Sequence, residues 1–143
     1  MHLEKKELVL NYKFYKKKGN LQIPVQILDG LIIGKGIEKI EEIVLAGFIT
    51  NSNLRLLKIS NSYESDPVYC TLMRDGSSFG GYFGPISLLP RIEHDLYSSI
   101  ERTFDNIDGG NYLIDKTTFE LIEKLRQNPF EFNRGGSCMV KLI

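Results

Sequence analysis

The sequence predicts an α+β fold: a mostly antiparallel, mixed sheet with about three helices packed mainly on one face. Three observations carry this expectation. Apolar residues alternate with polar ones in two runs near the start, around a Lys-Gly-Asn break. Further on, apolar residues recur every three or four positions in separate stretches. Paired strands interspersed with such stretches define layers of helix on sheet.

In the first run Leu8, Leu10, Tyr12 and Phe14 share one face. KKKGN (16–20) breaks it, and Leu21, Ile23, Val25 and Ile27 form the second run, so a hairpin is expected. Pro24 has no N–H to give, which places the second strand at an edge or a bulge there. Asp29-Gly30 signals a turn and Leu31-Ile32-Ile33 a short buried strand. Ile37, Ile40, Ile43 and Val44 then repeat at three and four, predicting an amphipathic helix near 36–47. LRLLKIS (54–60) and PVYCTLM (67–73) read as antiparallel strands around the polar turn NSYESDP. Ile92, Leu96, Ile100 and Phe104 predict a helix over 91–104, and NIDGGN (106–111) a turn. Thr117 and Glu120 have capping-box spacing before a third helix that ends at Asn128-Pro129. SCMVKLI (137–143) is a final strand.

The chain of 143 residues fits a single domain, 1–143, with its own core. Its composition, 42% hydrophobic and 25% charged, is that of a globular protein and excludes disordered, fibrous and membrane-spanning classes. The net charge of zero gives no long-range attraction for nucleic acid. Charge is unevenly placed, however: Lys5, Lys6, Lys13, Lys16, Lys17 and Lys18 crowd the start, and acids dominate 91–131. The first residues are lysines and glutamates rather than an apolar leader, and Cys70 and Cys138 read as free thiols, so a cytoplasmic protein is expected.

No motif demands catalysis, a metal or a cofactor. The strong metal ligands, His2, His94, Cys70 and Cys138, lie far apart in sequence. DNIDGGNYLID (105–115) puts Ile107 where a calcium loop needs Asp or Asn. Cys70 and Cys138 sit in apolar strands, as small buried hydrophobes do. GLIIGKGIEKI (30–40) matches neither a Walker loop nor a dinucleotide fingerprint, yet Lys35 between two glycines at a helix start would suit an anion. Lys13 and Lys16 to Lys18, interleaved with Phe14 and Tyr15, are the one nucleic-acid-like cluster.

RDGSSFGGYFGP (74–85) is the unusual segment. Gly- and Ser-rich and aromatic, it reads as an adaptable binding loop running into the helix that carries His94. The expected function is a cytoplasmic protein-binding module, an inhibitor, immunity or antitoxin-like protein or a regulatory subunit, that covers a partner surface. Its contact residues would be Arg74, Asp75, Phe79, Tyr82 and Phe83, with His94 and Lys35 nearby. The alternative is a site for a nucleotide or other small anion built from Lys35, Arg74, Phe79 and His94, with or without turnover.

Overall fold

The computed structural model describes residues 3–62, 65–105, 115–127, 130 and 135–143. The strands are β1 (Leu3–Phe14), β2 (Lys17–Leu28), β3 (Leu31–Glu38), β4 (Glu41–Ile49), β5 (Asn53–Ser60), β6 (Val68–Asp75), β7 (Ser78–Pro85) and β8 (Gly136–Leu142). They run up and down in chain order and close into a barrel, β8 pairing with both β7 and β1. Two helices, α1 (Pro90–Asp105) and α2 (Lys116–Gln127), lie between β7 and β8 in sequence. The expected α+β sheet with three helices is therefore overturned: this is an all-antiparallel barrel with two helices among the described residues.

The missing helix is the β3–β4 hairpin, whose turn is Lys39–Ile40. Ile37 and Ile40 share the spacing of a buried helical face, but both are exposed, Ile40 by 96%. From Ile43 to Phe48 every residue is buried. Ile43 and Leu45 point into the barrel, while Val44 and Ala46 lie under the helices. A strand covered on both faces reads as an unbroken apolar run, so period two is lost. The turn also lacks the usual signal: Lys39 takes a left-handed φ of 59°, where Gly or Asn is the common choice. By contrast Asp29–Gly30, with φ of 51° and 82°, is the turn its sequence announces.

Two cores result. The interior is filled by the inward residues of all eight strands, among them Leu8, Ile23, Leu45, Leu56, Leu72 and Val140. A second core lies outside, where Leu96, Ile100, Ile122 and Leu125 of the helices cover Ile33, Val44, Leu57 and Ile59. Among the described residues, the helices thus cover the β3–β5 wall and leave the β7–β8–β1 wall bare.

The chain passes tightly inside this barrel at certain glycines. A Cβ on Gly81 would strike the carbonyl oxygen of Thr71, and one on Gly136 the carbonyl oxygen of Lys13. The ladder between β2 and β3 is the short one, from Val25 to Leu28 only. Pro24 stands where that ladder stops, facing Glu7 on β1, which meets the expectation that its strand is edge-like there. The exposed stretch of edge carries Lys17, Lys18 and Pro24, residues that discourage strand addition.

α2 begins two residues earlier than its capping-box spacing predicts. Asp115 is the cap, its Oδ1 accepting the Thr118 N–H at 3.1 Å, and Thr118 in turn donates its hydroxyl to Ser99 of α1. Burial alone would raise the Asp115 carboxyl. The Thr118 N–H, the hydroxyls of Ser99 and Thr118, and Arg102 outweigh it and hold the group below its ordinary value. The turn expected at 106–111 lies outside the described residues.

Two predictions follow from this architecture. Gly81→Ala is expected to cost about 3 kcal/mol of stability in urea unfolding, because backbone has to move. Gly80→Ala next to it, with open space at the Cβ position, is expected to change stability by about 0.5 kcal/mol or less. Asp115→Ala should cost about 1 kcal/mol at neutral pH. A carboxyl with a lowered folded pKa stabilises only where it is ionised. The difference between wild type and Asp115→Ala should therefore shrink as pH falls below the ordinary 3.8 and through the lower folded value, measured by unfolding at stepped pH.

Candidate functional site

RDGSSFGGYFGP is not a loop: it is the end of β6, the Gly76–Ser77 turn and all of β7. Period two therefore sorts its residues onto opposite faces. Phe79, 2% exposed, is interior core, with the Arg74 guanidinium 4.6 Å from its ring centroid. Phe83 also turns inward and meets Tyr12 edge-on at 5.8 Å. Asp75 is exposed beside the turn, opposite Ser78. Tyr82 points outward and is 42% exposed.

The other expected site residues lie elsewhere. Lys35 is on the outer face of β3 and is engaged by α1, with Asp105 at 3.2 Å and Glu101 at 3.6 Å. Burial lowers the pKa of this ammonium, but the two carboxylates outweigh that and hold it above its ordinary value. His94 is exposed on α1, beside a polar cleft of about 430 Å³ between that helix and the segment around Asp66. There burial, with Asp66 adding to it, raises the Glu93 carboxyl, and burial beside Glu42 and Glu101 pushes the Tyr97 hydroxyl up to about 12. Arg74, Phe79, Lys35 and His94 are thus not brought together, and the anion site drawn from them has no common cavity.

Two other places gather chemistry. The first is the bare wall, where a shallow groove of about 670 Å³ crosses β1, β8 and β7. Its floor is Gly80 and Gly81, and Met73, Tyr82 and Met139 border it, with Met73 67% and Met139 52% exposed. Lys13 and Lys18 form its rim. These two lysines face each other directly across the β1–β2 ladder. Like charges in that position are destabilising, and neither has an acidic partner among the described residues.

The second lies inside, at the end of the barrel marked by the Tyr15 and Lys39 turns. Leu54 and Leu56 point inward on β5, and so does the next residue in register, Lys58. Its ammonium meets Glu38 Oε1 at 2.6 Å, both side chains being mostly buried. Glu38 Oε2 is buried without a hydrogen-bond partner among the described residues. Next to Lys58 is a void of about 100 Å³.

Cys70 and Cys138 form one wall of this void. Cys70 on β6 faces Phe83, and Cys138 on β8 faces Gly81, and both thiols line the void. Cys70 donates to Cys138, which holds the Cys138 thiol below its ordinary value against the effect of burial. Donation and burial together push Cys70 well up. Both thiols are free. No group of three or more His, Cys, Asp or Glu able to hold a metal occurs among the described residues.

Sequence reasoning missed Met73, Met139, Glu38 and Lys58. The signals were present: Lys58 continues the inward series of Leu54 and Leu56, and the hairpin register puts Lys13 against Lys18. No helix of the described residues is long and apolar enough to cross a membrane. Comparison with known proteins finds no family model, no curated protein and no solved structure that matches this chain.

The thiol pair makes a direct prediction. With methyl methanethiosulfonate, Cys138 should react before Cys70, as read by peptide mass. Cys70→Ala removes the donor, so the pH at which half of Cys138 reacts per unit time should rise. An unchanged pH profile would show that Cys70 does not hold the Cys138 thiolate.

Proposed function

We propose that the protein is a protein-binding module, an inhibitor or regulatory subunit, that works by covering a partner's surface with its bare barrel wall. The partner element that fits is an acidic segment carrying aliphatic anchors. The observation that carries this reading is the Lys13–Lys18 pair on the rim of a methionine- and tyrosine-bordered groove. Opposed lysines lower stability on their own and are relieved by an anionic partner. Methionines adapt to irregular apolar surfaces, and the Gly80 floor lets a partner approach the backbone. Lys16 and Lys17 at the hairpin tip extend the positive field, while the acids of α1 lie on the opposite wall. Charge arranged in this way favours fast, oriented encounter.

This reading keeps Tyr82 from the residues expected to make contact and replaces the others with Met73, Met139, Lys13 and Lys18. Strand addition is a poor route of recognition here, since β7 and β8 are paired on both sides.

The test is selection from a random peptide display library on the immobilised protein. Selected peptides should carry Asp or Glu flanking aliphatic residues. They should lose about tenfold in affinity against Tyr82→Ala/Met139→Ala, with melting temperature unchanged. Lys13→Glu/Lys18→Glu should favour basic peptides instead. A basic or neutral consensus on the wild type would overturn the reading. So would tighter, strongly salt-dependent binding of oligo-dT, which would mark a nucleic-acid surface.

A further inference from the structure

We propose that the barrel end at Lys58 is a binding site for one compact, uncharged molecule of about five non-hydrogen atoms that carries a single carbonyl or hydroxyl oxygen. Three features point to it. The first is volume. The interior is otherwise filled by large side chains, with Leu8, Ile23, Leu54 and Leu72 all essentially inaccessible. The void of about 100 Å³ is confined to the end where Lys58 sits. A cavity about half as large again binds benzene in an apolar core, so this one takes a slightly smaller guest.

The second is lining. Leu10, Leu45, Leu56 and Val68 give an apolar wall, and the two cysteines add a soft, polarisable one. Tyr12 folds its ring over Gly19 and against Phe83, so aromatic side chains frame the space.

The third is charge. Lys58 and Glu38 neutralise each other at 2.6 Å. An ionic guest would add a third charge with no counter-ion in a mostly buried place, which is costly. A neutral guest meets no such penalty. The ammonium has three N–H donors, and Glu38 is its one hydrogen-bond acceptor among the described residues. A guest oxygen facing Lys58 accepts one of the remaining donors, and its carbons fill the void. No bond to the guest forms or breaks.

The site lies inside the barrel, shares Tyr12 and Cys138 with the lining of the outer groove, and is tested separately. The probes are 2-butanone and propionate, similar in size and different in charge, titrated into methyl-labelled protein and followed by NMR. The expected result is saturable shifts at Leu10, Leu45, Leu56 and Val68 with 2-butanone, and binding of propionate at least tenfold weaker. Val68→Phe, which fills the space from a partly exposed position, should abolish the 2-butanone shifts. Cys138→Leu provides a second plug, and each variant's melting temperature verifies that it folds. Lys58→Met/Glu38→Gln keeps the wall neutral and should weaken 2-butanone about tenfold. The proposal is overturned by absent shifts, by equal binding of propionate, or by undiminished 2-butanone binding in a folded plugged variant.

Discussion

β8 has to lie between β7 and β1, and the rest of the molecule depends on that closure. Without it β1 and β7 would each present a bare row of N–H and C=O groups, and the interior would face water along its length. Closure requires strands to pass closer than side chains allow. Gly136 fits against the Lys13 carbonyl and Gly81 against that of Thr71. Gly81 in β7 and Gly136 in β8 are thus consequences of curvature.

The helices give the barrel a direction. They span the interval between β7 and β8 and spend their apolar faces on β3, β4 and β5. One wall therefore becomes a second core, and the other keeps its outward residues in solvent. Charge follows the same division. The acids of α1 neutralise Lys35 on the covered side, whereas the lysines of the β1–β2 hairpin face away from them. The dipole seen along the sequence is in this way a property of opposite faces of one barrel.

Much of the strand content was legible. Leu8, Leu10 and Tyr12, and then Leu21, Ile23, Val25 and Ile27, alternate because only one face of their hairpin meets a core. β4 was not legible, because burial on both sides erases alternation, and Lys39–Ile40 turns the chain without a glycine. β7 was read as a loop because glycine suggests freedom, whereas at Gly81 it marks steric constraint. The cap of α2 was missed by two residues, since Thr117 has the right spacing but Asp115 has the acceptor aimed at the Thr118 N–H. Of the expected contact residues only Tyr82 reaches the groove. A strand splits its neighbours between inside and outside, and a loop reading has no way to assign sides. The two local charge arrangements that matter, Lys13 against Lys18 and Lys58 with Glu38, need strand register before they have meaning.

The ladder between β1 and β8 also has a kinetic meaning. It joins Leu8 to Leu142 and Lys13 to Ser137, contacts separated by almost the whole described chain. Contacts of such sequence separation are entropically expensive to form first. β1 to β7 can assemble hairpin by hairpin from neighbours in sequence, but as an open, curled sheet. Until β8 arrives, Leu10, Tyr12, Phe79 and the Lys58–Glu38 pair remain wet. Once docked on β3 to β5, the α1–α2 pair shortens the search by bringing the start of β8 back toward its slot. Barrel folding should therefore be a late, single closing step, and the burial of the interior ions should belong to that step.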